Sequence, residues 1–237
     1  MAKMVGLSRT IKLPWLNKAA QLYQEHLPLE EYKAQMNEYL SFEIESAIVL
    51  RKTREILMNV WYYDTDPFIT DLRKTAIVLL DKYPEEAVPI HWCLMLLSYP
   101  VMIDMSKLMG RLYDFSDTIT LKQIKQKMFD EWGERATLFH TTDKIIATMK
   151  ELGVISNVKV GTYTIQKHKI KADAVTAMVI QTALKINNSS YCNFGELTDF
   201  NVMFPFEYTV SKEQLMADER FTLTTFGGEM TVTLNNL

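Results

Sequence analysis

The side chains whose types most clearly indicate a binding function are the basic and small polar residues between residues 118 and 171. This segment contains ten Lys or Arg and five Asp or Glu, which gives a local charge of +5. The whole chain carries −3, so the remaining residues together carry −8. Lys and Arg neutralise phosphates, and small polar side chains can hydrogen-bond to base edges. This asymmetry of charge favours nucleic acid as a partner.

Two helices and a hairpin are predicted to position these side chains. Residues 118–120 offer a hydroxyl N-cap for a first helix, which ends at Trp132-Gly133 because glycine accepts the left-handed conformation. A second helix is predicted from about Arg135 to Leu152. Residues 157–161 have the composition of a turn, and residues 163–165 alternate as a returning strand.

The apolar spacing of the second helix predicts which side faces the core. Leu138, Ile145, Met149 and Leu152 recur at helical spacing and define the inward face. Asp143 is expected in the exposed half, where its charge opposes phosphate binding. The outward face is predicted to consist of Thr137, His140, Thr141, Lys144 and Thr148.

With its order of helix, turn, helix and basic hairpin, the segment Thr118 to Ile165 resembles a winged-helix domain. The resemblance implies that the second helix enters a groove of double-stranded DNA and that the hairpin contacts the backbone. Winged helices also serve as dimerisation and protein-interaction modules. A protein-interaction scaffold, in which this module and the C-terminal sheet dock a partner protein, therefore stays open, as does a homodimer. The nucleic-acid-binding residues that the resemblance implies are Arg135, Thr137, His140, Thr141 and Lys144 on the helix, and Lys159 and Lys167 on the wing.

Four short segments carry a second resemblance: Arg51-Lys52-Thr53-Arg54, Ser98-Tyr99-Pro100, Trp132-Gly133-Glu134-Arg135 and Phe204-Pro205-Phe206-Glu207. They are similar to parts of small accessory proteins of bacterial phage-defence clusters, the BrxA-type subunits of BREX systems. This resemblance implies a non-enzymatic accessory protein that binds DNA or docks onto larger defence enzymes. The basic run at residues 51–54 would either extend a phosphate-binding surface beyond the winged helix or form a solvated helix face. The second interpretation is favoured, because acidic residues such as Glu55 lie within pairing distance.

Catalytic and metal-binding patterns are absent from the sequence. It has no Gly-rich phosphate loop, no dinucleotide fingerprint and no His-Glu-x-x-His. His91 beside Trp92 is interpreted as a satisfied core residue, and the carboxylates of Asp64 and Asp66 as helix caps before Pro67. The two cysteines have no metal-ligand spacing and fit a reducing cytoplasm. We therefore expect no enzymatic activity, no cofactor and no metal.

The fold class predicted is mainly α with a small β portion (α+β). Residues 1–115 are predicted to form a helical bundle, residues 116–170 a winged helix, and residues 171–237 a helix with a small antiparallel sheet. In the last part, Val202, Phe204 and Phe206 alternate like a strand. Gly227-Gly228 favours a hairpin turn between the last two strands, and Ser211 a cap of a short helix.

The most apolar window, residues 88–105, predicts buried helices and no membrane span. Pro89, His91, Pro100 and Asp104 interrupt it, whereas a span needs about 20 apolar residues. The first ten residues lack the apolar core of a secretory signal. A cytoplasmic protein is therefore expected.

Overall fold

The computed structural model describes residues 6–64, 66–189 and 191–235. Thr65 and Ser190, and the last two residues of the predicted C-terminal part, lie outside these ranges. Within them the chain is mainly helical, with strands confined to three small sheets. The predicted fold class is confirmed.

Six helices precede the first strand: α1 (Leu13–Gln24), α2 (Leu29–Ser41), α3 (Ala47–Trp61), α4 (Pro67–Lys82), α5 (Ala87–Ser98) and α6 (Pro100–Tyr113). The central elements are β1 (Thr118–Thr120), α7 (Leu121–Trp132), α8 (Ala136–Glu151), β2 (Ile155–Lys159) and β3 (Thr162–Ile165). The C-terminal elements are β4 (His168–Lys169), α9 (Asp173–Asn187), β5 (Cys192–Asn193), β6 (Phe206–Glu207), α10 (Lys212–Met216), β7 (Phe221–Phe226) and β8 (Glu229–Leu234).

Side-chain caps fix the starts of two N-terminal helices. Asp66 Oδ1 accepts a hydrogen bond from the Phe68 amide at 2.8 Å, so this carboxylate caps α4 as predicted. Pro67 follows in the first turn, where its missing N–H leaves no hydrogen bond unmade. Ser46 caps α3 by accepting from the Val49 amide. These local interactions fix where the helices begin, and burial of their apolar stripes holds them together.

The predicted pair of apolar helices is present as α5 and α6. No single helix within the described residues is long and apolar enough to cross a membrane. Only the segment from Pro84 to Ser98 together with α6 reaches the required length and composition, and the two are bent by 119°. All ten residues from Ala87 to Leu96 are buried, which makes α5 the centre of the protein core.

His91 on α5 is a fully buried, hydrogen-bonded histidine, as predicted. Trp61 Nε1 donates to its Nδ1 at 3.2 Å, so the proton resides on Nε2, which lies 2.7 Å from Asn17 Oδ1. Desolvation in this site lowers the pKa of His91 to about 3. The imidazole is therefore held in its neutral form, and protonation would break the Trp61 hydrogen bond.

His91 is expected to make the free energy of unfolding fall as the pH drops below 6.5. Its pKa is lower in the folded state than in the unfolded chain, so the unfolded state binds the extra proton. The loss amounts to about 2 kcal/mol between pH 6.5 and about pH 5. Urea unfolding at about pH 7.5 and about pH 5 measures this loss of stability. In His91→Gln, the difference in the free energy of unfolding between the two pH values should be smaller by about 2 kcal/mol. The control is His140→Gln, at an exposed histidine. An unchanged pH dependence in His91→Gln would contradict the prediction.

The C-terminal part contains α9 and the antiparallel sheet of β5, β8 and β7, in that order. The residues of α9 from Val175 to Leu184 are buried, so this helix packs on several sides. Glycines 227 and 228 both have positive φ and connect β7 to β8, which confirms the predicted hairpin. Ser211 and Gln214 form a capping box on α10, which confirms the predicted cap.

The strand predicted through Val202, Phe204 and Phe206 is wrong. Residues 201–203 form a 3₁₀ turn, and only Phe206–Glu207 pairs, in parallel with β4. Trp92 Nε1 donates to the Val202 carbonyl at 3.2 Å, and the edges of its ring contact Phe204 and Phe206. The apolar spacing therefore reflects packing around one indole and not alternation across a sheet.

The buried apolar side chains of all three predicted parts belong to one continuous cluster. It extends from the N-terminal helices through the inward faces of α7 and α8 to α9 and the last sheet. The boundaries at residues 115 and 170 stay a prediction.

Candidate nucleic-acid interface

From α6 to β3, the elements follow the order helix, strand, helix, helix and hairpin. The strands form an antiparallel sheet in the order β1–β3–β2, so β3 lies between the other two. Helix α6 packs against both α7 and β1. The structure therefore adds α6 as a first helix to the segment that the sequence placed at residues 118–170.

The turn between α7 and α8 sets the direction of α8. Thr120 and Gln123 form a capping box at the start of α7, as the hydroxyl at this position predicts. Gly133 ends the helix with φ of +77°, a value that favours glycine. Leu138, Ile145 and Met149 are fully buried, so the predicted inward face of α8 is confirmed.

The outward face of α8 is only partly exposed. Thr137 and His140 are exposed, and Lys144 is half-buried. Arg135 precedes the first turn and donates from Nη2 to the Trp132 carbonyl at 2.9 Å. The prediction that Thr141 and Thr148 are also exposed is wrong. Thr141 is 3% exposed and Thr148 is fully buried.

Residues 6–12, which we call the N-terminal segment, cover this part of α8. The Ile11 amide donates to Thr148 Oγ1 at 2.9 Å. Leu7 and Ile11 are themselves fully buried. Thr148 is thus a structural hydrogen-bond acceptor and is not available to a ligand.

The N-terminal segment and the first half of α8 together line a groove with a volume of about 580 Å³, which we call the α8 groove. The positively charged groups around it belong to Arg9, Arg135 and Lys144. None of these three forms an ion pair with any residue that the structure describes. No acidic side chain is among the described lining residues, which are Gly6, Ser8, Arg9, Arg135, Thr137, His140, Thr141 and Lys144.

Asp143 does not oppose the positive charge of the groove. Its Oδ1 lies 2.6 Å from Lys125 Nζ. The same ammonium lies 3.3 Å from the centre of the Phe139 ring. Asp143 is therefore neutralised on the α7 side, and Lys125 is not free for phosphate.

The hairpin of β2 and β3, which we call the wing after its predicted role, has a basic and apolar tip. Gly161, with φ of +69°, makes the turn, and Lys159 is exposed beside it. Val158 is 57% exposed and Val160 is fully exposed. None of these four residues lines the α8 groove, so the wing is a separate surface.

Lys167 lies elsewhere. It is exposed, but it lines a second cavity of about 580 Å³ that includes Asp114, Asp117 and Asp199. Carboxylates repel phosphate. Lys167 is therefore less well placed than Lys144 in the α8 groove to contact a DNA phosphate. The structure thus brings together the five residues predicted on the helix and leaves the two predicted on the wing apart.

The basic run at residues 51–54 is divided by the fold of α3. Arg51 and Lys52 are exposed, whereas Thr53 is buried. Arg54 donates to Glu55 Oε1 at 2.6 Å and to Asn37 Oδ1 at 3.0 Å. These contacts fit the interpretation of a solvated helix face.

Ser8 and Arg9 are residues of the groove that the sequence reasoning missed. The only sequence signal is a polar stretch between two apolar residues, Leu7 and Ile11. The hydrogen bond that joins this segment to α8 spans 137 positions. Periodicity within a short window cannot reveal such a contact.

The described residues form a mainly α protein that has a cationic groove on α8 and, as a separate feature, the three-stranded antiparallel sheet of β1, β3 and β2. Within the described ranges, no group of three or more His, Cys, Asp or Glu is placed to hold a metal ion. Comparison with family models, with curated proteins and with solved structures finds no match to this chain.

Proposed function

We propose that the chain is a non-enzymatic DNA-binding protein in which α6 to β3 act as a winged helix. The α8 groove carries the proposal, since three positively charged side chains and no acidic side chain are among its described lining residues. Each phosphate contact adds a salt-dependent, sequence-independent increment to affinity. The exposed Thr137 and His140 stand in the first half of α8, the half that contacts base edges in helix-turn-helix proteins.

Charge reversal in the groove and on the wing tests the proposal. Lys144→Glu combined with Lys159→Glu removes one positive charge from each surface and introduces repulsion. We expect affinity for a random-sequence duplex to fall roughly 30- to 100-fold at low salt. Fluorescence anisotropy of a labelled duplex measures the loss.

The matched control reverses two exposed charges on α3, with Arg51→Glu and Lys52→Glu. Both double variants change the net charge by the same amount, so a general electrostatic effect would weaken binding equally. We expect the α3 variant to bind within about threefold of the wild type. Equal losses in the two variants would contradict the assignment of the interface.

A protein-interaction scaffold is the second proposal, and the wing tip favours it. Val158 and Val160 present an apolar surface to solvent. Apolar residues exposed side by side suit a protein partner, to which phosphate contacts contribute nothing. If this proposal holds, a partner should co-purify after nuclease treatment and high salt, and should be lost with Val158→Ser and Val160→Ser. Retention of the partner by that variant would remove the wing from the interface.

The resemblance to accessory subunits of bacterial phage-defence clusters supplies a biological setting for the proposed DNA binding. In that setting the protein acts in the cytoplasm and recruits larger defence enzymes to DNA. Co-expression with neighbouring defence proteins and a pull-down after nuclease treatment tests the recruitment, and recovery of the tagged chain alone would argue against it.

A further inference from the structure

We infer that Arg9, on the N-terminal segment, binds a nucleic-acid backbone phosphate in the α8 groove, together with Arg135 and Lys144. The inference rests on the proposed function and adds to it a phosphate-binding residue from outside the winged helix. Arg9 is separated from Arg135 by more than half of the chain, yet both line the same groove. The ligand chemistry is that of a phosphodiester or a polyphosphate.

The hydrogen bonding of Arg9 is incomplete. Its Nη1 donates to the Ser8 carbonyl at 2.7 Å, whereas its Nε has no hydrogen-bond partner among the residues that the structure describes. A buried charged donor without an acceptor is costly. Because Nε is shielded from solvent, a phosphate in the groove would contact the Nη N–H groups, which can pair with phosphate oxygens. It would also balance a guanidinium charge that no described carboxylate pairs.

The backbone around Arg9 is held in place on both sides. Leu7 and Ile11 are fully buried, and the Ile11 amide is bonded to Thr148 on α8. Lys12 beyond them pairs with Glu43 on the other side of the segment. Arg9 is therefore positioned before any ligand arrives, so little conformational entropy is lost when it binds.

The composition of the groove selects phosphate over other ligands. The described lining has three cationic side chains, the exposed His140 and the exposed hydroxyl of Thr137, which are donors suited to anionic oxygens. A volume of about 580 Å³ is large enough for a nucleotide-sized group. Much of the exposed lining consists of the hydrocarbon parts of these side chains, but no Leu, Ile, Val, Met or Phe is among the described lining residues to anchor a lipid or the apolar face of a peptide helix.

The test follows the Nε–H NMR signal of Arg9 in the full-length protein. The signal is assigned by its loss in Arg9→Lys, a variant that keeps the charge. Inorganic pyrophosphate and a short duplex are titrated separately, and duplex affinity is measured by anisotropy for the wild type, Arg9→Ala and Arg9→Lys. Circular dichroism verifies the fold of each variant, which truncation should not disturb because Arg9 makes only the Ser8 hydrogen bond.

We expect both ligands to shift the Arg9 signal. Arg9→Ala should weaken duplex binding about 5- to 20-fold and reduce the salt slope by about one, the value for one phosphate. Arg9→Lys should retain most of the salt slope, because a lysine still contacts one phosphate.

A shift of the Arg9 signal with pyrophosphate but no duplex binding would keep the phosphate site and overturn DNA as its source. Duplex binding with no shift and no loss in Arg9→Ala would overturn the inference and leave the proposed function standing. No shift with either ligand and no duplex binding would overturn both.

Discussion

Replacement of Arg73 by methionine is expected to lower the free energy of unfolding by about 4 kcal/mol, the largest change that we predict. The Arg73 side chain is fully buried. Its guanidinium donates to three backbone carbonyls, those of Asn59 at 3.0 Å, Val60 at 2.8 Å and Tyr63 at 2.9 Å. These carbonyls belong to the end of α3 and the turn that follows, where intrahelical donors are missing.

Methionine fills a similar volume but removes the donor of the Val60 and Tyr63 carbonyls, while the Asn59 carbonyl keeps a hydrogen bond from the Ser98 hydroxyl at 3.2 Å. Each such acceptor costs about 1–3 kcal/mol, and partial entry of water offsets some of the sum. The ion pair with Asp64 contributes little, because that carboxylate is 71% exposed and 3.5 Å away. Arg73→Lys should recover only part of the loss, since one ammonium cannot reach three carbonyls that surround a planar group.

Lys74→Met provides the control. This neighbouring cation is exposed and bonded only to Asp71, so its replacement should change stability by less than about 0.5 kcal/mol. Urea unfolding of the three variants measures the differences. A loss below about 1 kcal/mol in Arg73→Met would show that the α3–α4 connection does not depend on this side chain.

Gly110→Ala is expected to destabilise the protein by about 2–3 kcal/mol. Gly110 lies in α6, and a Cβ atom there would stand 2.3 Å from the carbonyl oxygen of Asn201. That oxygen belongs to the backbone of the 3₁₀ turn at residues 201–203, which Trp92 holds through the Val202 carbonyl. The turn would have to move away from α6, and the higher helix propensity of alanine offsets only about 1 kcal/mol.

Gly195→Ala is the matched control for this prediction. A Cβ at Gly195 meets nothing within 4 Å, and the position has no positive φ. The substitution should change stability by less than about 0.5 kcal/mol in either direction. Chemical unfolding compares the two alanine variants directly. Equal stabilities would mean that α6 and residues 201–203 separate at little cost.

Local sequence signals were sufficient for most elements of the fold. The hydroxyl of Thr120, the carboxylate of Asp66 and the paired glycines 227 and 228 each act through neighbours within a few residues. Such interactions depend on the chain nearby, so a short window of sequence reveals them. The inward face of α8 follows from the same kind of local periodicity.

Long-range contacts account for what the sequence did not show. Thr141 and Thr148 occupy positions that helical spacing assigns to the surface, but both are buried, and Thr148 accepts a hydrogen bond from the N-terminal segment. Residues 202–206 pack around Trp92, more than a hundred positions earlier in the chain, and so do not form the continuous strand that was predicted. Arg9 joins the groove for the same reason. No local pattern of polarity records which distant segment will cover a helix.

The central claim is that the α8 groove and the wing bind DNA phosphates, and the salt dependence of wild-type binding tests it most directly. Contacts from Arg9, Arg135, Lys144 and Lys159 predict a slope of log affinity against log salt of about −3 to −4. Affinity for a labelled random-sequence duplex should therefore be micromolar at about 50 mM salt and fall about a hundredfold by about 200 mM. A slope near zero, or no binding at the lower salt concentration, would contradict the claim.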